Sequence, residues 1–405
     1  MSDSNLREEV TRLHAQYHTP NYAPEQLFVK GEGCYLWDDT GKKYLDFVSG
    51  IAVAVLGHCH PAMVEALHRQ SQTLMHVSNL YYNDQSPFLA RDLSEMSLGG
   101  KVFFCNSGAE ANEGLIKLAR KWGSATDRFE IMTMRNSFHG RTLATLTATG
   151  QEKIQKGFEP LPQGFVYADY NDLESVKACK SSKTVAVMLE LVQAEGGVLP
   201  VDPNFIRELA QWCNENDLLL LIDEVQTGMG RTGMCFAYKH YDIQPDAIAL
   251  AKGMGGGFPI GAVVTGEKLK DVFGPGSHGT TFGGQPLGAA VARAVLKEFK
   301  EHKLCLHARE MGTLLEEELE PLVTKYSFIK TRRGQGLLQG LVIDRPAKDL
   351  EKLIAEQGLL TVCTAGIVIR MVPPLIVSPE QVREAARLID RACAIWQQDI
   401  KNQEK

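Results

Sequence analysis

An α/β fold is predicted for this 405-residue chain: a large domain with a mostly parallel sheet between helices, plus a smaller α+β domain. Three features predict it. Short apolar runs alternate with helix-periodic stretches from about residue 100 to 265. The runs are continuously apolar, as suits strands covered on both faces. After about residue 300 the texture turns charged and amphipathic.

Taken in order, VFFC (102–105) reads as a strand, followed by a helix from about Ala109 to Trp122. EIMTM (130–134), VAVMLEL (185–191), LLLLIDEV (218–225) and AIALA (247–251) are further strands, and FIRELAQWCNEND (205–217) has apolar residues at helical spacing. Two charged amphipathic helices near 308–326 and 347–357 bracket a strand at GLLQGLVID (336–344). A last helix opens at Ser378, an N-cap with Glu380 and Gln381 following. The boundaries expected are a segment 1–50 that contributes to the small domain, a large domain 51–300 and a small domain 301–405.

With 44% hydrophobic and 23% charged residues, the composition is that of a soluble globular protein. A formal charge of -6 offers no net positive field for a phosphate backbone, which argues against nucleic acid as a partner. No apolar run nears the ~20 residues of a membrane span. The polar start MSDSNLREEV does not read as a secretory signal. Nine scattered cysteines without a CxxC pair suit reduced thiols, so a cytoplasmic location is expected.

Four stretches carry chemistry. In LIDEVQTGMGRTG (221–233) the glycines Gly228, Gly230 and Gly233 have the G-x-G-x-x-G spacing of a dinucleotide loop. The strand lies in mid-chain, however, and MCFAYKHYD makes a poor helix start, which disfavours a nicotinamide dehydrogenase. The alternatives are a glycine-rich turn after a core strand, or a ligand site using Asp223 and Glu224 at the strand's carboxyl end. In ALAKGMGGGFPIGA (249–262), Lys252 ends a strand among glycines without a P-loop pattern. It is either a solvated strand end or a lysine bonded to a bulky carbonyl cofactor, and pyridoxal phosphate also needs an acid beside its pyridinium nitrogen.

CNSGAEANEGLIKLAR (105–120) places Asn106, Ser107 and Gly108 at a helix start, an ordinary N-cap or a phosphate cup. NSFHGRT (136–142) offers an aromatic face in Phe138 and a carboxylate-gripping guanidinium in Arg141, or simply a surface loop. GHCH (57–60) lacks a third and fourth ligand at zinc spacing, so no metal is expected.

In combination and in this order, FFCNSGAEANE, NSFHGRT, LIDEVQTGMGRTG, AKGMGGGFPIGA and HGTTFGGQPL (278–287) are highly specific. The sequence resembles the class III, fold-type-I pyridoxal-phosphate aminotransferases, nearest to members that act on acetylornithine, from NYAP (21–24) to IRMVPPL (369–375). The resemblance implies pyridoxal 5'-phosphate as cofactor and a homodimer with shared active sites, taking acetylornithine and 2-oxoglutarate. Lys252 would bond the cofactor and shuttle the proton, and Asp223 would pair with the ring nitrogen. Phe138 and Val225 would cover the ring faces, with Glu224 and Gln226 beside them. Ser107, Gly108 and Ala109 would hold the phosphate, completed by Thr280 and Thr281 of the neighbouring subunit.

For the substrate, Arg141 would bind the α-carboxylate, Tyr22 would wall the pocket, and Glu195 with Arg370 would form a switch pair. Two departures bear on specificity. The family's E-P-I/V-Q-G-E reads Glu190-Leu191-Val192-Gln193-Ala194-Glu195 here, which puts the geometry of Glu195 in question. Ile51 stands where ornithine aminotransferases tend to carry a tyrosine, which favours an N-acylated or 4-aminobutyrate-like donor. Succinylornithine, ornithine and 4-aminobutyrate remain alternative donors.

Overall fold

The computed structural model describes residues 3–403. Its centre is a seven-stranded sheet in the order Val102–Cys105, Gly261–Thr265, Ala247–Leu250, Leu219–Asp223, Thr184–Glu190, Glu130–Met134, Phe165–Ala168. Gly261–Thr265 runs antiparallel to both neighbours and the other pairings down the sheet are parallel, so six strands point one way. Apolar residues on both faces explain the arrangement: every residue of Thr184–Glu190 and Leu219–Asp223 is buried, and only helices on both sides can cover such strands. The helices Gly108–Gly123 and Pro203–Glu215 belong to that cover and start and stop within two residues of their expected bounds.

Two strands of this central sheet escape the apolar-run signal. Phe165–Ala168 lies at the sheet edge, and Gly261–Thr265 opens on a glycine and runs antiparallel to both neighbours. The 218–225 run ends its strand at Asp223, because the chain turns there to leave the sheet.

The last third forms a second sheet, Ile329–Gln335, Leu338–Ile343, Val368–Met371 and Val362–Thr364, all antiparallel. Helices Leu304–Lys325, Lys348–Glu356 and Pro379–Gln403 accompany it. Ser378 caps the last helix: its Oγ accepts from Gln381 N at 3.3 Å, and Gln381 Oε1 accepts from Ser378 N at 2.8 Å. Near the N-terminus, strands Phe28–Glu32, Tyr35–Asp38 and Lys43–Asp46 make a third sheet, joined in parallel by Leu359–Leu360. Among the described residues no helix is long and apolar enough to cross a membrane.

Candidate active site

Five connections leave the carboxyl ends of the parallel strands and converge on one cavity of about 450 Å3. A site there follows from the topology, since ligands in open α/β sheets bind beyond the strand ends. Lys252 follows Ala247–Leu250, Asp223 ends the adjacent strand and Glu190 the next, Phe138 to Arg141 follow Glu130–Met134, and Asn106 to Ala109 follow Val102–Cys105.

Asp223 is 4% exposed, and its carboxylate accepts three hydrogen bonds. Oδ2 accepts from Asn112 Nδ2 at 2.7 Å and from His139 Nδ1 at 2.8 Å, and Oδ1 accepts from Val225 N at 3.0 Å. Burial alone would lower the pKa of His139, but the hydrogen bond and charge of Asp223 raise it above its ordinary value. Asn112 is held in turn by donating to His139 O at 2.8 Å. A carboxylate kept in place this way suits a cationic partner in the cavity, because a buried charge is costly without one.

Lys252 lies at the cavity with φ +41, in the left-handed region that costs a non-glycine residue roughly 1 kcal/mol. Strain of this kind collects at functional sites. Burial pulls its pKa down to about 8, against the attraction of Glu195. Linkage gives the sign: the unfolded lysine holds its proton longer, so in the cofactor-free protein this residue adds stability as pH rises from about 8 towards 10.5. The same shift predicts that cofactor-free protein takes up pyridoxal phosphate faster as pH rises to about 8 and levels off above it. Stopped-flow absorbance across pH 6.5–9.5 checks this; a rate still climbing steeply near 9.5 would contradict it.

Glu190 also reaches the cavity, and its Oε1 accepts from Phe138 N at 2.9 Å. Burial raises its pKa to about 7. Sequence reasoning gave it no role; the signal available was an acid ending a continuously apolar strand, as Asp223 does.

Ser107 caps helix Gly108–Gly123, with Oγ accepting from Glu110 N at 3.2 Å, and the carboxylate of Glu110 accepts from Asn106 N at 2.8 Å. The cap and the positive end of the helix dipole leave this end of the cavity suited to an anion. Gly108 is required there: a Cβ would lie 2.7 Å from Cγ1 of Val225, which also lines the cavity. Gly108→Ala is therefore expected to push Val225 into the cavity and weaken cofactor binding about tenfold, ~1.4 kcal/mol. Adding Val225→Ala should recover most of the loss in a titration of cofactor-free protein; no recovery would refute the steric account.

These features fit pyridoxal phosphate. They supply a lysine for its aldehyde, a fixed carboxylate for its ring nitrogen, and a capped helix start for its phosphate. Gln226 lines the same cavity, and its buried Oε1 lacks a hydrogen-bond partner among the described residues. A dinucleotide does not fit the glycine turn: Gly230 and Gly233 have positive φ, and only the four-residue turn Ala237–His240 follows, not a helix.

The structure brings together Lys252, Asp223, Ser107, Gly108, Ala109, Phe138, Val225, Gln226 and Arg141 around the cavity, with the Arg141 guanidinium 5.6 Å from the Phe138 ring centre. Glu224 departs from expectation. The chain leaves the sheet after Asp223, and Glu224 turns into the protein, accepting from Thr227 Oγ1 at 2.6 Å and Tyr238 N at 2.9 Å.

Glu195 and Arg370, 175 residues apart, form an ion pair at 2.6 Å. Burial opposes ionisation of Glu195, yet Arg370 holds its carboxyl below the usual range. The pair forms with Leu191 and Ala194 in the preceding loop, both side chains fully buried. Neither member of this pair lines the cavity itself, and three further residues expected at the site stand outside it in the single chain. Tyr22 is 78% exposed, Thr281 is exposed, and Thr280 Oγ1 accepts from Asn106 Nδ2 at 3.3 Å without lining the cavity. Ile51 also stays off the cavity lining, in a left-handed turn that instead presents Val53.

Comparison with known proteins agrees with this geometry. The chain is 50% identical to the acetylornithine aminotransferase of Caldanaerobacter subterraneus over 368 residues, covering 90% of this chain and 93% of that protein. It is 47% identical to the Bacillus subtilis acetylornithine aminotransferase over 366 residues, 90% and 94% of the two chains. Among solved structures, the ornithine aminotransferase of Toxoplasma gondii superposes with a TM-score of 0.93 at 34% identity, covering 97% of this chain and 96% of that one. The acetylornithine aminotransferase of Elizabethkingia anophelis gives 0.86 at 36% identity, covering 96% and 98%. The family description "Aminotransferase class-III" matches residues 17–393, and the chain belongs to that family of pyridoxal-phosphate transaminases.

Proposed function

We propose that this chain is an acetylornithine aminotransferase. It would move the δ-amino group of N2-acetyl-L-ornithine to 2-oxoglutarate, giving N-acetyl-L-glutamate 5-semialdehyde and L-glutamate, a step of arginine synthesis. The observation that carries the reading is the placement of Arg141 in the Lys252 cavity, with the Glu195–Arg370 pair beside it. The names of the curated relatives, 43–50% identical over about 90% of the chain, support the donor.

When bound, pyridoxal phosphate supplies an electron sink for the carbanion left by deprotonation next to the amine. The chain's residues would do the rest. Asp223, fixed by Asn112 and His139, would keep the ring nitrogen protonated. Lys252 Nζ would take the proton from the substrate carbon bearing the amine and return it on the other side. Arg141 would grip the donor's α-carboxylate in two hydrogen bonds, which presents the δ-amine to the cofactor. While the donor is bound, Glu195 would neutralise Arg370; swinging aside, it would free that guanidinium for a carboxylate of 2-oxoglutarate.

Thr280 and Thr281 would complete the phosphate site from a partner subunit, and Tyr22 would close the pocket only in the assembled enzyme. We therefore propose a homodimer that binds neither nucleic acid nor membrane, works in the cytoplasm, and divides at residues 50 and 300.

Initial rates with acetylornithine, succinylornithine, ornithine and 4-aminobutyrate test the donor. The reading requires the highest kcat/KM with acetylornithine and fails if ornithine or 4-aminobutyrate exceeds it. Arg141→Ala should raise KM for acetylornithine roughly 30-fold, ~2 kcal/mol for a lost charged hydrogen-bond pair. Cofactor affinity should change far less; an equal loss of both would assign Arg141 a structural role.

A further inference from the structure

All nine cysteines are free thiols, and two that lie 70 residues apart in sequence meet: Cys235 Sγ is 3.4 Å from Cys305 Sγ. The backbone builds this meeting. Gly233, at φ +87, has no side chain to hold off helix Leu304–Lys325; a Cβ there would stand 3.1 Å from Arg309 Cβ and 3.3 Å from Arg309 Cα. Arg309 Nη2 donates to Gly233 O at 3.3 Å, and Gly230 N donates to Cys235 O at 3.3 Å. Contacts that do not involve sulfur thus hold both thiols in place. Both are half-buried, within reach of small reagents.

We propose that Cys235 and Cys305 are a thiol–disulfide exchange site for aliphatic low-molecular-weight disulfides of the glutathione kind, and that its oxidised form pins the turn behind Asp223 to helix Leu304–Lys325. The surroundings assign the roles within the pair. The hydrogen bond between the two sulfurs favours a thiolate at Cys235, lowering its pKa against the effect of burial, with Lys239 and Lys300 adding positive charge beside it, while Cys305 is raised. Cys235 is therefore the attacking thiolate and Cys305 the resolving thiol.

In the first step Cys235 Sγ attacks one sulfur of the reagent, forming a mixed disulfide and releasing one thiolate. Cys305 then gives up its proton and attacks Cys235 Sγ, forming the internal disulfide and expelling the second thiolate, which is protonated. Two protein thiols lose two electrons and one reagent disulfide becomes two thiols. The sulfurs need to approach by roughly 1.4 Å to reach the ~2.05 Å of a disulfide bond. A pair that cycles in this way is the kind of disulfide a reducing compartment permits.

The test is mass spectrometry of holoenzyme treated with oxidised glutathione, alkylated and cut with trypsin. Cleavage after Arg231, Lys239, Lys303 and Arg309 leaves each cysteine in its own peptide, 232–239 and 304–309. The expected result is a linked 232–239/304–309 peptide that dithiothreitol abolishes, with a thermal midpoint raised by about a few degrees through closure of the loop. Cys305→Ser should stop at a glutathione adduct on Cys235, and Cys235→Ser should leave Cys305 unmodified. Recovery of both peptides alkylated while the exposed Cys59 carries glutathione would overturn the proposal. Should either variant fold poorly, the wild-type peptide map decides alone.

Discussion

Lys252→Ala is expected to lower kcat by more than about 10³, at ~1.4 kcal/mol per decade more than ~4 kcal/mol of barrier. Two roles end together, since the variant can neither bond the cofactor nor move the proton. The native side chain suits both, because burial brings its pKa to about 8 and so maintains a population of free amine near neutrality. Borohydride treatment of the native holoenzyme should fix the cofactor to the peptide containing Lys252, while the variant should release it on dialysis. Single-turnover assays with acetylornithine check the rate, and a variant that transaminates at a normal rate would remove Lys252 from the mechanism. The left-handed backbone of Lys252 bears on the choice of substitution. Lys252→Gly tolerates this conformation best and separates the chemical loss from any loss of fold.

Asp223→Asn should lower kcat by roughly 10² to 10³, about 3 to 4 kcal/mol, with a smaller effect on the KM of either substrate. Asparagine keeps the shape and can still accept a hydrogen bond, but it cannot hold a proton on the ring nitrogen. Cofactor should still bind, retained by Lys252 and the helix start at Ser107. A variant with undiminished kcat would show that the carboxylate has no electronic role.

The substitution has a second readout in stability. His139 in the native protein has its pKa raised by Asp223 against the effect of burial. Its contribution to stability is complete below pH 6.5 and is lost as pH rises through the raised value. In Asp223→Asn burial prevails and that decline should disappear. Glu190 and Glu224, both raised to about 7, also lose stability with rising pH, between 4.5 and 7. Both carboxylates also feel the charge of Asp223, so the difference between native and variant melts reports His139 above about pH 7, where they have finished titrating, and identical pH slopes there would contradict the ion pair.

Much of the site was legible in the sequence because fold-type-I chemistry sits at the ends of strands. The run 218–225 reads as a strand whatever surrounds it, and an acid, a lysine or a capped helix start at such an end is visible from local pattern alone. Even there, local pattern stops short of direction: Glu224 adjoins Asp223, yet the turn that ends the strand sends it to Thr227 and Tyr238. The glycine spacing at 228–233 shows the opposite failure. It imitates a nucleotide loop in spacing, the poor helix start after it argues otherwise, and the structure makes it a tight turn beside Cys235 and Arg309.

The sequence by itself determined the strand ends and the chemical groups they carry, because an apolar run and the residue that ends it are neighbours along the chain. Tertiary structure decided the rest. It joined Glu195 to Arg370 despite the loss of Pro and Gly from the loop, recruited Glu190 and Asn112, and left Tyr22, Thr280 and Thr281 outside the cavity of a single chain. Such contacts span tens to hundreds of residues and depend on strand order and side-chain direction, neither of which local periodicity encodes.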